Sequence, residues 1–112
     1  MTKITTHVLD TSRGKAAQNV PVVLYQQHDD YWDVIAANNT NNDGRISEFP
    51  TQNRELTPGI YKLKFETKEY FDQHAITTFF PFVEIVFTVN KGEHYHVPLL
   101  LSPFGYSTYR GS

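Results

Sequence analysis

Long stretches of this sequence alternate between apolar and polar residues with a period of two, which is the pattern of β-strands. A clear example follows Pro58-Gly59, where Tyr61, Leu63 and Phe65 alternate with charged residues. Because neighbouring side chains of a strand point to opposite faces, one face of this segment is expected to pack in a core and the other to meet solvent.

The same alternation recurs in short segments that are separated by turn signals. We predict further strands over residues 4–10, 20–25, 31–36, 83–89, 94–101 and 106–110, and one short helix over 68–74. A polar loop is expected over 38–44, where Asp43-Gly44 supplies the positive φ angle of a tight turn. Short strands at even spacing predict an all-β sandwich or barrel. By its length, the chain 1–112 is expected to be one domain.

Composition argues against several classes of function. The formal net charge is −2, with acids and bases interspersed, which does not match a nucleic-acid footprint. Cysteine is absent, so neither a disulfide nor a thiol nucleophile is available. No apolar run approaches the roughly 20 residues that span a bilayer, and no secretory leader precedes the first patterned segment. We therefore expect a cytoplasmic protein that binds neither nucleic acid nor membrane.

Two histidines, His7 and His96, are predicted on strand faces that point away from the core. His7 shares its face with Thr5 and Leu9, and His96 shares its face with Pro98 and Leu100. The opposite, core-facing sets are Ile4, Thr6 and Val8 on one strand and Val97, Leu99 and Leu101 on the other. Outward faces of this mixed character are too apolar for free solvent and suit a subunit interface. Histidine can act there as a general base, because its ordinary pKa of about 6.5 lies near neutral pH.

A metal site is an alternative interpretation of the same histidines. Imidazoles at i and i+2, here His94 and His96, can bind zinc on one strand face, with His7 as a third ligand and water as the fourth. No Asp, Glu or Cys stands where it would complete that set, so we favour a metal-free site. The sequence also lacks a Gly-x-Ser-x-Gly elbow and a glycine-rich phosphate loop.

Two arginines and the C-terminal residues are further candidates. Arg45 follows the Asp43-Gly44 turn and is either a solvated strand-end residue or a guanidinium that clamps a carbonyl or urea-like edge with its planar fork. Arg110 has the same two interpretations. Ser112 brings a hydroxyl and the α-carboxylate, which could orient a base or a water. Tyr109 is equally compatible with an ordinary strand residue.

Four segments together resemble the transthyretin-related 5-hydroxyisourate hydrolases. They are Thr6-His7-Val8-Leu9-Asp10-Thr11-Ser12-Arg13-Gly14, Asn42-Asp43-Gly44-Arg45, Phe79-Phe80-Pro81 with Ile85-Val86-Phe87-Thr88-Val89, and the run from His94 to Tyr109-Arg110-Gly111-Ser112. The final four residues are the most specific, because they separate the hydrolases from transthyretin, the hormone carrier on the same scaffold. In transthyretin a lysine stands at the position of His7 and a threonine at that of His96.

The resemblance implies a transthyretin-like sandwich of two four-stranded antiparallel sheets with one short helix. It also implies a homotetramer, in which dimers joined edge to edge pack face to face and enclose a channel with the active sites at its mouths. The implied reaction follows urate oxidase in purine degradation. It converts 5-hydroxyisourate to 2-oxo-4-hydroxy-4-carboxy-5-ureidoimidazoline by opening the six-membered ring at an acyl C–N bond.

The resemblance also implies roles for individual residues, with no metal or organic cofactor. The catalytic set is His7, His96, Arg45 and Ser112. The substrate-binding set is His7, Arg45, His96, Tyr109, Arg110 and Gly111. The two histidines would do the base and proton-transfer work, and the sequence does not assign which does which.

The competing hypothesis is a non-catalytic channel protein that binds a small aromatic ligand, as transthyretin does. A carrier needs no paired histidines, and a C-terminal extension would be expected in place of the Arg-Gly-Ser end. The sequence therefore favours the enzyme, and a zinc hydrolase ranks third.

Overall fold

The alternating segments form two β-sheets that bury their apolar faces against each other. The computed structural model describes residues 2–112. Its elements are β1 (Lys3–Asp10), β2 (Lys15–Ala16), β3 (Pro21–Gln27), β4 (Trp32–Asn39), β5 (Arg45–Ile46), β6 (Gly59–Phe65), α1 (Thr67–Gln73), β7 (Val83–Val89), β8 (His94–Ser102) and β9 (Gly105–Thr108).

The first sheet has the order β2–β1–β8–β9, and β5 also pairs with β1. Strands β1 and β8 run parallel, whereas the other pairs in this sheet are antiparallel. Because β8 covers one edge of β1, the two-residue strands β5 and β2 share the other edge. The second sheet is antiparallel, with the order β4–β3–β6–β7. The predicted sandwich with one short helix is confirmed. The first sheet departs from the predicted four antiparallel strands, because it has five strands and its central β1–β8 pair is parallel.

The core lies between the sheets and contains the residues that the alternation predicted. The buried sets include Ile4, Thr6 and Val8 of β1, Tyr61, Leu63 and Phe65 of β6, and Val97, Leu99 and Leu101 of β8. Burying one such aliphatic or aromatic side chain stabilises the fold by about 1.5–3 kcal/mol. This burial requires the remaining side chains of β1 and β8 to point outward.

The helix closes one end of the sandwich and anchors the end of β1. It spans Thr67–Gln73, one residue earlier than predicted, and buries Tyr70 and Phe71. The Tyr70 hydroxyl donates to the buried Asp10 carboxylate at 2.7 Å. Burial and this hydrogen bond raise the pKa of Tyr70 to about 12. Between Thr2 and Ser112 there is no helix with the length and hydropathy to cross a membrane.

The last strand is interrupted, which differs from the predicted continuous strand over 106–110. Strand β9 ends at Thr108, because Pro98 on β8 has no N–H for the next pair of the ladder. The Thr108 hydroxyl donates to the Pro98 carbonyl instead, at 2.7 Å. The same register then resumes at Gly111, which bridges His96. The C-terminal residues therefore return to the edge of β8 beside His96.

Candidate active site

Strand register brings the predicted catalytic side chains to one outward face of the first sheet. His7 of β1 stands opposite Arg45 of β5, and Thr5 of β1 stands beside His96 of β8. Residues that pair directly across a ladder point to the same face. Since Thr6 and Val97 between these positions point into the core, His7, Arg45, Thr5 and His96 all point outward.

A pocket of about 230 Å³ lies on this face. It is lined by Lys3, Thr5, Thr6, Arg45, Ile46, Ser47, His94, His96 and Ser112. Three of the four predicted catalytic residues, namely Arg45, His96 and Ser112, therefore lie in one lining. His7 lies beside the pocket rather than in its lining, at the next outward position of β1.

The Thr5 hydroxyl joins the two histidines of β8. Its Oγ1 lies 2.8 Å from Nε2 of His94 and 2.8 Å from Nδ1 of His96. The two imidazole centroids are 6.3 Å apart. His94 is exposed, whereas His96 is half-buried. Sequence reasoning placed Thr5 on this face but missed the contacts, because they depend on the register of two strands that are distant in sequence.

Both predicted catalytic histidines are held toward their neutral form. Burial lowers the pKa of His96, and the charges of Arg45, His7 and His94 lower it further. Burial and the Arg45 charge likewise lower the pKa of His7, although a backbone hydrogen bond and the carboxylate of Asp43 act in the opposite direction. A neutral imidazole has a free lone pair, which is the form that a general base requires.

Arg45 is positioned by a turn that packs tightly on β1. The Asn41 side-chain oxygen accepts from the Arg45 N–H at 3.0 Å, and the Asn41 N–H donates to the Arg45 carbonyl at 2.9 Å. Gly44 has a φ of 73°, and its carbonyl oxygen accepts from the Val8 N–H at 2.7 Å. A Cβ at position 44 would collide with the Val8 carbonyl oxygen. Only glycine fits both requirements, so this turn fixes Arg45 opposite His7.

The C-terminal segment forms a wall beside His96. The Gly111 N–H donates to the His96 carbonyl at 2.8 Å. A Cβ at position 111 would lie 2.5 Å from Cδ2 of His96 and 3.3 Å from Cγ of Pro98. Glycine thus permits the backbone to approach the imidazole, and Ser112 then reaches the pocket lining.

Arg110 and Tyr109 were predicted in the substrate-binding wall, but the structure does not bring them into the pocket lining. The Arg110 guanidinium lies 4.5 Å from the ring centroid of Tyr95 and 3.2 Å from a Glu93 carboxylate oxygen. Tyr95 points toward the core, and Gly111 pairs with the outward-facing His96. Because neighbouring strand positions alternate, Arg110 is directed to the other face. Tyr109 is exposed.

The remaining histidines have surroundings of a different kind. His28 lies 3.5 Å from Asp33 and stacks on Tyr31 at the surface. A shallow depression of about 530 Å³ borders His28 on the second sheet, but its lining holds neither an arginine nor a second histidine. His74 contacts Arg13 and Tyr70 near the end of the helix. Neither resembles a catalytic cluster.

The zinc interpretation finds little support in the donor geometry. The ring nitrogens that His94 and His96 direct toward each other both contact the Thr5 hydroxyl. Within residues 2–112, no group of three or more His, Cys, Asp or Glu side chains is arranged to hold a metal ion. The face is instead suited to proton transfer by imidazole and to stabilisation of an oxyanion by Arg45.

Comparison with known proteins gives consistent results over nearly the whole chain. Residues 4–111 match the model of the HIUase/Transthyretin family. A relative from Schizosaccharomyces pombe named "Probable 5-hydroxyisourate hydrolase" is 42% identical over 112 residues, covering 97% of this chain and 90% of the relative. The structure of Klebsiella pneumoniae 5-hydroxyisourate hydrolase matches with a TM-score of 0.87 and 36% identity, covering 100% of both chains.

The fold by itself does not separate an enzyme from a carrier. The crystal structure of transthyretin from Sparus aurata matches with a TM-score of 0.89 and 32% identity, covering 96% of this chain and 95% of that one. The fold is a transthyretin-like β-sandwich, and its first sheet carries a face with two histidines and an arginine. The chain belongs to the HIUase/Transthyretin family, and its curated relatives place it with the hydrolases of that family.

Proposed function

We propose that this chain hydrolyses 5-hydroxyisourate to 2-oxo-4-hydroxy-4-carboxy-5-ureidoimidazoline in the degradation of urate. The observation that carries the proposal is the juxtaposition of His7 and His96, both with a lowered pKa, with Arg45 on one face. Relatives named 5-hydroxyisourate hydrolase, at 37–44% identity, support the same reaction.

The chemistry follows from the groups that this face offers. The chain has no cysteine and no hydroxyl in a nucleophile elbow, so water attacks the ring carbonyl. A neutral imidazole of His7 or His96 takes the proton from that water. The proton that this histidine has taken is then passed to the leaving ring nitrogen, directly or through the second histidine, so the C–N bond opens and both imidazoles return to the neutral form.

Arg45 and the last two residues of the chain form the substrate site in this proposal. The guanidinium of Arg45 has only donors, and it stabilises the oxyanion that develops on the attacked carbonyl. Ser112 positions the water or a histidine, and Gly111 forms the wall beside His96. Arg110 contributes by holding the terminal segment through Glu93 and Tyr95. The mechanism uses no metal and no organic cofactor.

A homotetramer is the assembly that we propose for this activity. Strands β7 and β9 each pair on one side only, so each leaves an edge on which another subunit can add. Phe79 and Phe104 are 72% and 70% exposed, and the Phe80 ring packs edge-on against both Phe79 and Tyr106. A second contact would cover the face that bears His7 and His96, where Leu9 and Leu100 are half-buried in the single chain. The expected compartment is the cytoplasm.

The alternative function is a carrier of small aromatic ligands, which the similarity to transthyretin favours. The pocket argues for the enzyme, because its lining includes Lys3, Arg45, His94 and His96. Sites for apolar ligands are lined mainly by hydrophobic and aromatic side chains.

The decisive experiment is an ultraviolet assay of freshly generated 5-hydroxyisourate with and without the purified protein. We expect the substrate absorbance to decay much faster with protein than in the matched sample without it. Elemental analysis of the same preparation tests the zinc alternative. A decay rate equal to that of the substrate alone, together with tight binding of an aromatic ligand, would instead establish the carrier.

A further inference from the structure

The hydrogen bonds of the Thr5 hydroxyl limit which nitrogen of His96 can carry its proton. It lies 2.8 Å from Nε2 of His94 and from Nδ1 of His96, but it carries a single hydrogen. It therefore donates to one imidazole and accepts from the other. Two states satisfy both contacts, and they differ in which nitrogen of His96 carries the proton.

In the first state the hydroxyl accepts from Nδ1–H of His96 and donates to Nε2 of His94, so that Nε2 of His96 keeps a lone pair. In the second state the hydroxyl donates to Nδ1 of His96, so the proton of His96 resides on Nε2. Only the first state makes His96 a base toward the pocket.

The charges around the pocket favour the first state. Lys3 and Arg45 both line it, and each offers donors and no acceptor. Nε2 is the ring nitrogen of His96 that Thr5 leaves free, and the charge of Arg45 acts on this imidazole. A lone pair on Nε2 is attracted by that cation, whereas an N–H there would be repelled. In the first state the Nδ1–H of His94 donates to water, which is possible because His94 is exposed, and its Nε2 accepts from the Thr5 hydroxyl.

We infer that Thr5, oriented by His94, is a positioning residue that holds the proton of His96 on Nδ1 and presents the Nε2 lone pair to the substrate water. This role rests on the proposed hydrolysis, but the tautomer itself exists without substrate. The inference gives His94 a function that needs no metal and no contact with the reacting atoms.

The tautomer can be read by NMR of protein labelled with ¹⁵N-histidine, with spectra of His94→Asn and His96→Asn assigning the signals. In the wild type we expect Nδ1 of His96 to be protonated and Nε2 to be unprotonated. Thr5→Val keeps the side-chain shape and removes the hydroxyl, so it should give a mixture of both tautomers. Thr5→Ser retains the hydroxyl and should restore the single tautomer.

Kinetics provide the second measurement. Thr5→Val should lower kcat about two- to tenfold, in proportion to the fraction of His96 that loses its Nδ1 proton, with KM unchanged. Thr5→Ser should recover the rate. The matched control is Thr11→Val, which removes a hydroxyl that donates to the Leu101 carbonyl at the far end of β1. That control should leave both the tautomer and kcat near their wild-type values.

The inference and the proposed function fail in different ways. A wild-type His96 with its proton on Nε2, or identical tautomers in wild type and Thr5→Val, would overturn the inference even if hydrolysis is fast. The expected tautomers without any turnover of 5-hydroxyisourate would uphold the control of His96 by Thr5 and refute the proposed substrate.

Discussion

Gly111 and His96 are paired across the edge of the first sheet, with the Gly111 N–H donating to the His96 carbonyl at 2.8 Å. The same glycine lies against the imidazole, since a Cβ there would be 2.5 Å from Cδ2 of His96. This contact couples the C-terminal segment directly to the position of a proposed catalytic base.

Gly111→Ala should therefore displace either the imidazole or the terminal backbone. We expect kcat to fall about 10²-fold, the loss that a misplacement of about 1 Å can cause in an active site, while the circular dichroism spectrum is unchanged. Gly105→Ala is the matched control in the same hairpin, because a Cβ there meets its nearest neighbour, Ser102 Oγ, at an ordinary 3.7 Å. Equal activity of the two variants would contradict a close packing role for Gly111.

His7→Asn and His96→Asn each keep a polar side chain but remove the titratable base. Each should lower kcat about 10²–10⁴-fold, the usual range for general acid–base catalysis. His94→Asn should cost much less, because His94 acts only through Thr5, and His28→Asn serves as a surface control. Steady-state turnover of the four variants is the measurement. Equal losses at His94 and His96, with metal in the purified protein, would support a zinc site instead.

Activity should fall at acidic pH, as the bases become protonated. Burial and Arg45 lower the pKa values of His7 and His96. The midpoint of the acid limb of the pH profile should therefore lie below 6.5, the ordinary pKa of histidine. Arg45→Gln removes a positive charge that disfavours protonation, so the limb should move to higher pH. Arg45→Lys keeps the charge and should leave the limb in place while lowering kcat. A pH profile of kcat/KM for the three proteins checks this, and an unmoved limb in Arg45→Gln would count against it.

Deletion of residues 109–112 should abolish most activity and leave the fold intact. The segment contributes no side chain to the buried core, and its Arg110–Glu93 ion pair is exposed and worth at most about 1 kcal/mol. Hydrolysis should fall at least about 10²-fold, because the wall beside His96 is lost. Thermal unfolding and sedimentation of the shortened protein are compared with its turnover. Near wild-type turnover would show that the terminus is only a strand end.

Light scattering at micromolar concentration should report a tetramer. Phe104→Glu replaces an exposed apolar side chain by a charged one and should weaken the assembly. The control is Val34→Glu, which adds the same charge at an exposed position of β4, an edge strand of the second sheet. This control should leave the assembly unchanged. A fully active wild-type monomer would contradict the proposed assembly.

The alternation in the sequence predicts the longer strands and the face to which each of their side chains points. Alternation over residues 4–10 and 94–101 assigned Val8 and Leu99 to the core, and it therefore directed His7 and His96 outward. Such inferences succeed because the period of two is local and burial enforces it strongly. The same alternation, applied to the last strand, places Arg110 on the face opposite to that of Gly111. Arg110 therefore lies outside the predicted substrate-binding wall.

Which of the outward residues contact one another depends on the pairing of strands that are distant in sequence. Thr5 contacts His94 and His96 because β1 and β8 pair in parallel across about 90 positions of the sequence, in a register that no local pattern specifies. The interruption of β9 at Pro98 likewise depends on which residue stands opposite the proline. Local alternation selects the face of each side chain, whereas its neighbours on that face are set by the long-range packing of the two sheets.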